Sequence, residues 1–236
     1  MDNIEHDQLT QNYQQVLARV KLADTNNQVQ LLAVSKTKPI EMIQALAKQG
    51  QTAFGENYLQ EALTKISIEP KLDWHFIGPI QSNKTKAIAE NFAWVHSVDR
   101  LKIATRLNNQ RPDKLPKLNI LLEVNISNEE SKAGFLASEI VDIAKQINQL
   151  PNLILRGLMS IPIKATTQEE QRKPFKKMQQ LLVKCQQEIV DNKMDTLSMG
   201  MSADLEAAIM EGATIIRVGS DIFGARNMQN TKGNNQ

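Results

Sequence analysis

The stretch Leu31-Leu32-Ala33-Val34-Ser35-Lys36-Thr37-Lys38-Pro39 joins an apolar run to a lysine at the point where the run ends. Four consecutive apolar residues are typical of a strand buried on both faces, as in a parallel sheet. A lysine at such a strand end either extends its ammonium into water or presents an amine to a ligand. Taken alone, Lys36 favours the solvent-directed interpretation.

Apolar runs of strand length alternate with segments of helical periodicity along the rest of the chain. The predicted strands are 30–35, 52–54, 73–78, 93–97, 118–126, 153–161, 196–199 and 214–218, and a helix is predicted after each of the first seven. The helix after the sixth strand is predicted over Pro174–Val190. A further helix, 5–22, precedes them. The pattern predicts an α/β fold, a single (β/α)₈ TIM barrel with an extra N-terminal helix.

Composition limits the other possibilities. No linker divides the chain, so residues 1–226 are predicted to form one barrel domain and the polar residues 227–236 a disordered tail. The 28 basic and 26 acidic residues nearly balance, which predicts no nucleic-acid binding. No apolar segment reaches the length of a membrane span and the N-terminal residues are polar, so we expect no membrane contact and a cytoplasmic location.

The cysteine and histidine residues predict no metal centre. Cys185 is the single cysteine and lies in a helical pattern, where a packing role is expected. His6, His75 and His96 lack the spacing of a zinc site. His75, within an apolar strand, is predicted to be a core histidine with its hydrogen bonds satisfied.

The ends of the last two predicted strands suggest a phosphate site. Active sites of such barrels lie at the C-terminal ends of the strands, and phosphate is commonly bound after strands 7 and 8. Ser202 is predicted to be the N-cap of the helix after strand 7, and Gly219 and Ser220 follow strand 8. Ordinary helix capping explains the pattern equally well.

Arg217, on the last strand, changes the interpretation of Lys36. A guanidinium is always charged and needs a partner when buried, commonly a carboxylate but alternatively a pyridine nitrogen. Beside a phosphate site, Lys36 is a candidate for a Schiff base with an aldehyde. Lys38 is then expected to be the lysine exposed to solvent.

Several motifs occur in order along the chain: Ala33-Val34-Ser35-Lys36, Phe54-Gly55-Glu56-Asn57, residues 74–84, Gly157-Leu158-Met159, residues 197–202 and residues 217–226. Together they resemble one family, the pyridoxal phosphate homeostasis proteins (YggS/PROSC). The resemblance spans roughly residues 31–226. It implies a barrel like the N-terminal domain of alanine racemase, which is the PLP fold type III.

The resemblance also implies a cofactor, pyridoxal 5′-phosphate, held as an internal aldimine on Lys36. It places Asn57 beside the cofactor, Arg217 near the pyridine nitrogen, and the phosphate on Ser202, Gly219 and Ser220. It further implies that Lys132 helps in cofactor exchange.

One departure from the family pattern concerns the phosphate end. The chain has Gly219-Ser220-Asp221 where Gly-Thr-Ala or Gly-Ser-Ala is usual. An inward-pointing Asp221 would weaken phosphate binding through like-charge repulsion, so we expect it to point outward or to cap the following turn.

These observations predict a carrier rather than an enzyme, with no catalytic residue of its own. A fixed cation at the pyridine nitrogen disfavours ring protonation and weakens the electron sink. Racemisation also needs a second base, but Tyr13 lies on the leading helix and Tyr58 is predicted to pack.

The predicted function is to bind, buffer and deliver pyridoxal phosphate, which maintains vitamin B6 and amino- and keto-acid balance. We expect a monomer that meets PLP-dependent apo-enzymes transiently. The alternatives are an amino-acid racemase of narrow or weak activity, and a barrel enzyme that acts on a small phosphorylated metabolite without this cofactor.

Overall fold

The computed structural model describes residues 3–129 and 132–224. Its strands are β1 (Gln30–Val34), β2 (Ala53–Glu56), β3 (Asp73–Phe76), β4 (Trp94–Val98), β5 (Leu118–Glu123), β6 (Leu153–Met159), β7 (Thr196–Ser198) and β8 (Ile215–Val218). Its helices are α1 (Asn3–Ala23), α2 (Ile40–Lys48), α3 (Leu59–Ile68), α4 (Thr85–Asn91), α5 (Leu101–Gln110), α6 (Ile140–Ile147), α7 (Gln168–Glu188), α8 (Leu205–Met210) and α9 (Ser220–Phe223). The predicted tail, 227–236, lies outside the described residues.

The strands form the predicted closed barrel. All neighbouring pairs are parallel, and β1 pairs with β8 as well as with β2, so the sheet closes on itself. Leu32 is opposite Arg217 and Val34 is opposite Gly55. The ends of β8, β1 and β2 therefore lie side by side at one mouth of the barrel.

The apolar core lies mainly between the strands and the helices around them. Phe54, Leu46, Ile88 and Phe175 are fully buried there. The predicted additional helix, α1, covers this layer with an apolar face, and it packs against α2, α8 and α9. That face consists of Leu9, Tyr13, Val16 and Val20.

The barrel interior contains a much smaller apolar cluster. Leu32, Ala53 and Ile215 form it, together with the partly buried Ile77. Barrels of this type are usually filled by bulky branched side chains. Here polar side chains occupy other inward positions and are almost completely buried: His75, His96, Ser198 and Arg217.

Helix α7 begins earlier than the sequence predicted. The predicted start at Pro174 is wrong, because the helix begins at Gln168 and contains Pro174. Thr167 is the N-cap, and its Oγ1 accepts a hydrogen bond from the Glu170 N–H at 3.3 Å. This cap stabilises a start that the proline appeared to forbid.

Two further findings concern Cys185 and membranes. Cys185 is buried, as predicted, and burial raises the pKa of its thiol to about 11, so it remains protonated at neutral pH. Among the helices described, none combines the length and the apolar character that crossing a bilayer requires.

Candidate functional site

Four neighbouring strands bring the six predicted site residues to one mouth of the barrel. Lys36 follows β1 and Asn57 follows β2, while Gly219 and Ser220 follow β8 and Ser202 follows β7. The sixth, Arg217, lies within β8 and is opposite Leu32 of β1. The residues therefore share one region of the barrel.

Lys36 leaves the sheet beside a tightly held residue. The hydroxyl of Ser35 donates to Glu56 Oε1 at 2.6 Å, and Lys65 Nζ donates to the carbonyl of Ser35 at 2.8 Å. These contacts hold Ser35 on the helix side of the sheet. Strand alternation therefore directs the next residue, the half-buried Lys36, to the interior side.

The residue after Lys36 is restrained as well. Thr37 has a φ of 65°, a left-handed conformation that is rare and unfavourable for a β-branched residue. Its backbone N–H donates to Glu61 Oε1 at 2.6 Å, which helps to hold the turn. Lys36 therefore lies between two residues, Ser35 and Thr37, that are each held by hydrogen bonds to neighbouring side chains.

The side chains that restrain this turn form a buried charged cluster. Lys65 Nζ lies 2.7 Å from Glu56 Oε1 and 2.5 Å from Glu61 Oε1. Burial raises the pKa of the Glu56 carboxyl, and Lys65 offsets only part of this effect. The paired charges of Glu56 and Lys65 are therefore buried on the helix side of the turn that contains Lys36. The sequence did not predict this pair.

Lys38 is engaged rather than solvated, so the expectation for this residue was wrong. Its Nζ donates to the carbonyls of Phe223 and Gly224 at 2.9 and 3.1 Å. These carbonyls end α9, where an ammonium is favourable. Partial burial lowers the pKa of Lys38. The loop after β1 is consequently tied to the last described helix.

Arg217 is a buried cation held by neutral acceptors. Its side chain donates to the Ser198 carbonyl at 2.7 Å, to the Ser198 hydroxyl at 2.8 Å and to the Ser160 carbonyl at 3.0 Å. No described carboxylate lies within ion-pair distance of it. Burial lowers its pKa to about 10, and the charges of Asp204 and Glu123 oppose the shift.

The hydrogen bonds leave one part of the guanidinium available. A guanidinium has five N–H donors, and those on Nη1 and one on Nη2 are used. Among the described residues, no acceptor faces the Nε–H or the second Nη2–H. Arg217 can therefore donate to a further group in the barrel mouth.

His75 and His96 continue the interior polar arrangement, and both are fully buried. His96 Nδ1 lies 2.9 Å from Ser198 Oγ, and His96 Nε2 lies 2.9 Å from His75 Nδ1. His75 Nε2 lies 3.1 Å from Asp73 Oδ2. The prediction of a satisfied core histidine at position 75 is confirmed. The hydrogen bonds that link His75 to Arg217 through His96 and Ser198 were not predicted, although all four side chains point inward from their strands.

Three buried oxygens at the mouth have no hydrogen-bond partner among the described residues: Asn57 Oδ1, Asp99 Oδ1 and Ser160 Oγ. Gly78 lets the Asn57 backbone approach closely, since a Cβ at Gly78 would lie 2.3 Å from the Asn57 carbonyl oxygen. Buried polar atoms are normally paired, so unpaired ones at one mouth suggest a polar ligand.

The predicted phosphate site, formed by Ser202, Gly219 and Ser220, differs in detail from the prediction. Gly219 is the N-cap of α9, and the N–H groups of Ser220 and Asp221 have no acceptor within that helix. Ser202 is not an N-cap, because α8 begins at Leu205 with Asp204 before it. Ser202 instead lies in the turn from 202 to 204, which a bond from the Met201 N–H to Asp204 Oδ1 (2.7 Å) supports.

Arg19 of α1 connects the segment after β7 with the segment after β8. It donates to the Ser202 carbonyl at 2.9 Å and forms ion pairs with Asp221 at 3.0 Å and Glu206 at 2.8 Å. Asp221 therefore points outward, as expected. Arg19 was not among the predicted site residues, because the sequence of the leading helix marks only its apolar face.

The two tyrosines occupy different environments. Tyr13 is buried in the helix layer and donates to Gln51 Oε1 at 3.1 Å. Burial raises the pKa of its hydroxyl. Tyr58 is 50% exposed, so the prediction that it packs was wrong. In the described part of the chain, no group of three or more acidic, histidine or cysteine side chains is arranged to hold a metal.

Comparison with known proteins agrees with this geometry. The alanine racemase N-terminal domain family matches residues 4–227. The pyridoxal phosphate homeostasis protein of Pasteurella multocida is 49% identical over 223 residues, which are 93% of this chain and 95% of the relative. The chain belongs to the pyridoxal phosphate homeostasis protein family. The resemblance found from the sequence motifs is thereby confirmed.

Solved structures support the fold assignment of this family member. PipY of Synechococcus elongatus, solved with PLP bound, is 33% identical and superimposes with a TM-score of 0.81, covering 92% of this chain and all of PipY. Alanine racemase of Clostridium difficile is 16% identical with a TM-score of 0.73, covering 94% of this chain and 58% of the racemase. The second likeness shows the shared barrel alone.

Proposed function

We propose that the protein binds pyridoxal 5′-phosphate covalently on Lys36 and carries it without catalysing a reaction of its own. The observation that carries the proposal is the guanidinium of Arg217, which is buried among neutral acceptors with N–H donors still available. The PLP bound to PipY and the name of the Pasteurella relative support the choice of cofactor.

The residues at the mouth fit the parts of this cofactor. The Lys36 amine would hold the cofactor through its aldehyde, with release of one water. An Arg217 N–H would donate to the pyridine nitrogen, and Asn57 and Ser160, whose buried oxygens lack partners, would hydrogen-bond to its polar groups. Ser202, Gly219 and Ser220 would hold the phosphate. When bound, the cofactor supplies an electrophilic carbon and an electron-withdrawing ring.

Two features favour a carrier over a racemase. The Arg217 cation disfavours protonation of the pyridine nitrogen and so weakens the ring as an electron sink. Tyr13 is bonded elsewhere and Tyr58 is half exposed, so neither is a positioned second base.

The test is spectroscopic. The purified protein incubated with pyridoxal phosphate is expected to develop an absorption band of the imine, and borohydride is expected to fix the label on Lys36 by mass spectrometry. Lys36→Ala should abolish the band. Lys38→Ala is the matched control, because Lys38 is two residues away and is bonded to backbone carbonyls.

Two outcomes would contradict the proposal. A Lys36→Ala protein that retained the band would remove the assignment of the lysine. Slow interconversion of D- and L-amino acids by the wild type, lost in Lys36→Ala, would favour the racemase and overturn the carrier.

Further parts of the proposal concern the cell. We infer a single barrel domain over residues 1–226, a monomeric and cytoplasmic protein, and transient transfer of the cofactor to PLP-dependent apo-enzymes, which influences amino- and keto-acid balance. Sedimentation of the loaded protein tests the monomer. Reconstitution of an apo-enzyme by the loaded protein, compared with an equal amount of free cofactor, tests the transfer.

A further inference from the structure

One continuous chain of hydrogen bonds crosses the barrel interior from the cofactor mouth towards the opposite end. It runs from Arg217 to Ser198 Oγ (2.8 Å), to His96 (2.9 Å), to His75 (2.9 Å) and to Asp73 (3.1 Å). The three middle residues are completely buried, and the Asp73 side chain is 35% exposed at the start of β3. Such a polar column is unusual where barrels normally place apolar side chains.

The chemistry of its two ends matches an arrangement in which every bond runs the same way. Arg217 can only donate, and in this arrangement Ser198 Oγ accepts from it and gives its own hydrogen to His96 Nδ1. His96 then has its proton on Nε2 and donates to His75 Nδ1. His75 likewise donates from Nε2 to Asp73, a carboxylate that can only accept. The two imidazoles then have the same tautomer.

The electrostatics agree with this arrangement. Burial lowers the pKa of His96 well below its ordinary value, and the neighbouring His75 and Arg217 lower it further, so His96 is neutral. A chain in which every donor points the same way is polarised cooperatively. Its positive end is the Arg217 guanidinium and its negative end is the Asp73 carboxylate. The chain therefore offsets part of the penalty of a cation that has no described ion-pair partner.

We propose that Ser198, His96, His75 and Asp73 are positioning residues that hold Arg217 with its unused N–H donors directed at the cofactor's pyridine nitrogen. The proposal rests on the proposed function, because the pyridine nitrogen belongs to the proposed cofactor. It adds residues on β3, β4 and β7 to a site whose other members follow β1, β2, β7 and β8. It also makes the affinity of the mouth depend on a hydrogen-bond acceptor, Asp73, at the other end of the barrel.

The first experiment uses the free protein. Long-range ¹H–¹⁵N correlation spectra report which nitrogen of each histidine carries the proton. We expect His75 and His96 to be neutral with the proton on Nε2 at neutral pH. A proton on Nδ1 of His96, or an imidazolium at His75, would overturn the one-way chain.

The second experiment measures cofactor affinity and the absorption band. Ser198→Ala removes the hydroxyl link but keeps the Ser198 carbonyl that Arg217 also uses. We expect about tenfold weaker binding, the order of magnitude for a hydrogen bond to a charged group, and a shifted band. Thr196→Val is the matched control: Thr196 is a buried residue of the same strand, and its hydroxyl donates to Asp195 Oδ1, outside the chain.

A pair of variants at the far end separates positioning from folding. Asp73→Asn keeps an oxygen that accepts from His75, so it should retain the tautomers and most of the affinity. Asp73→Ala removes the acceptor and should weaken binding and alter the His75 signal, although its side chain is partly exposed and far from the mouth. Equal affinity in Asp73→Ala and the wild type would overturn the proposal.

The results distinguish this inference from the proposed function. A wild-type protein that shows no imine band contradicts the proposed function. The histidine tautomers of the free protein then still test the direction of the hydrogen bonds. A wild-type band with unchanged affinity and unchanged wavelength in Ser198→Ala contradicts the positioning role alone.

Discussion

The two sides of the barrel wall differ in what they contain. The outer side, between strands and helices, is filled with apolar side chains such as Leu46, Phe54 and Phe175, which are completely buried. The inner side has one small apolar cluster, and polar residues occupy much of the remainder. The outer layer therefore supplies most of the hydrophobic stabilisation, which permits the interior to contain a buried cation and two histidines.

The largest expected effect comes from breaking the outer layer. Phe54→Ala removes a fully buried ring that contacts Trp74 at a centroid distance of 5.8 Å. We expect the free energy of unfolding to fall by about 3–5 kcal/mol, as measured by chemical denaturation. The folded fraction should still bind the cofactor. Tyr58→Ala, at a half-exposed aromatic nearby in sequence, should change stability by less than about 1 kcal/mol.

The next effect concerns the charged cluster on the outer side. Lys65→Met leaves the carboxyl of Glu56 buried without its cation and removes a donor to the Ser35 carbonyl. We expect a loss of about 3 kcal/mol at pH 7, near the lower end for a broken buried pair because Glu61 is partly exposed. Unfolding by urea measures the loss.

The pH dependence of this variant follows from the sign of the Glu56 shift. A carboxyl whose folded-state pKa lies above its ordinary value of 4.5 destabilises the fold as pH rises from that value upward. Loss of Lys65 raises this pKa further, so the deficit relative to wild type should shrink as pH falls towards 4.5. The double variant Lys65→Met/Glu56→Gln should recover part of it at pH 7. An equal deficit at pH 5 and pH 7 would contradict the role of Glu56.

The smallest expected effect on stability comes from the mouth. A methyl group at Gly78 would collide with the Asn57 backbone, so Gly78→Ala must displace Asn57. We expect about 2 kcal/mol of destabilisation, as for other overpacked sites, with a clear loss of cofactor affinity. Gly50→Ala is the comparison, because its Cβ would meet no atom within 4 Å and only its left-handed φ of 96° resists the change. Unaltered cofactor affinity in Gly78→Ala would show that Asn57 does not contribute to cofactor binding.

The order and number of strands were predictable because each apolar run has strand length and each helix has its own periodicity. The boundaries were less predictable. Thr167 overcame the stop signal of Pro174, and Asp204 rather than Ser202 precedes α8. A side-chain cap decided the first helix start, whereas Asp204 makes no capping hydrogen bond and instead accepts from the Met201 N–H in the preceding turn.

The site was predictable where it followed strand order, and unpredictable where it depended on contacts distant in sequence. Lys36, Asn57, Arg217 and the residues after β7 and β8 lie at the expected mouth. By contrast, Arg19 reaches Ser202 across 183 positions, and His96 reaches Ser198 across 102. No local pattern encodes such pairs, although the shared inward parity of the strands would have suggested the second.

The pairing of β1 with β8 has a consequence for biosynthesis. Leu32 is paired with Arg217, and Lys38 is bonded to the Phe223 carbonyl 185 residues later. A growing polypeptide therefore lacks the candidate site until its last strand has emerged and closed the ring, a late event because this strand pairing has the longest loop to close of any in the barrel. A cofactor bound as proposed would bridge the first and last strands and favour the closed ring by mass action. Binding would then select completed molecules and leave truncated ones empty.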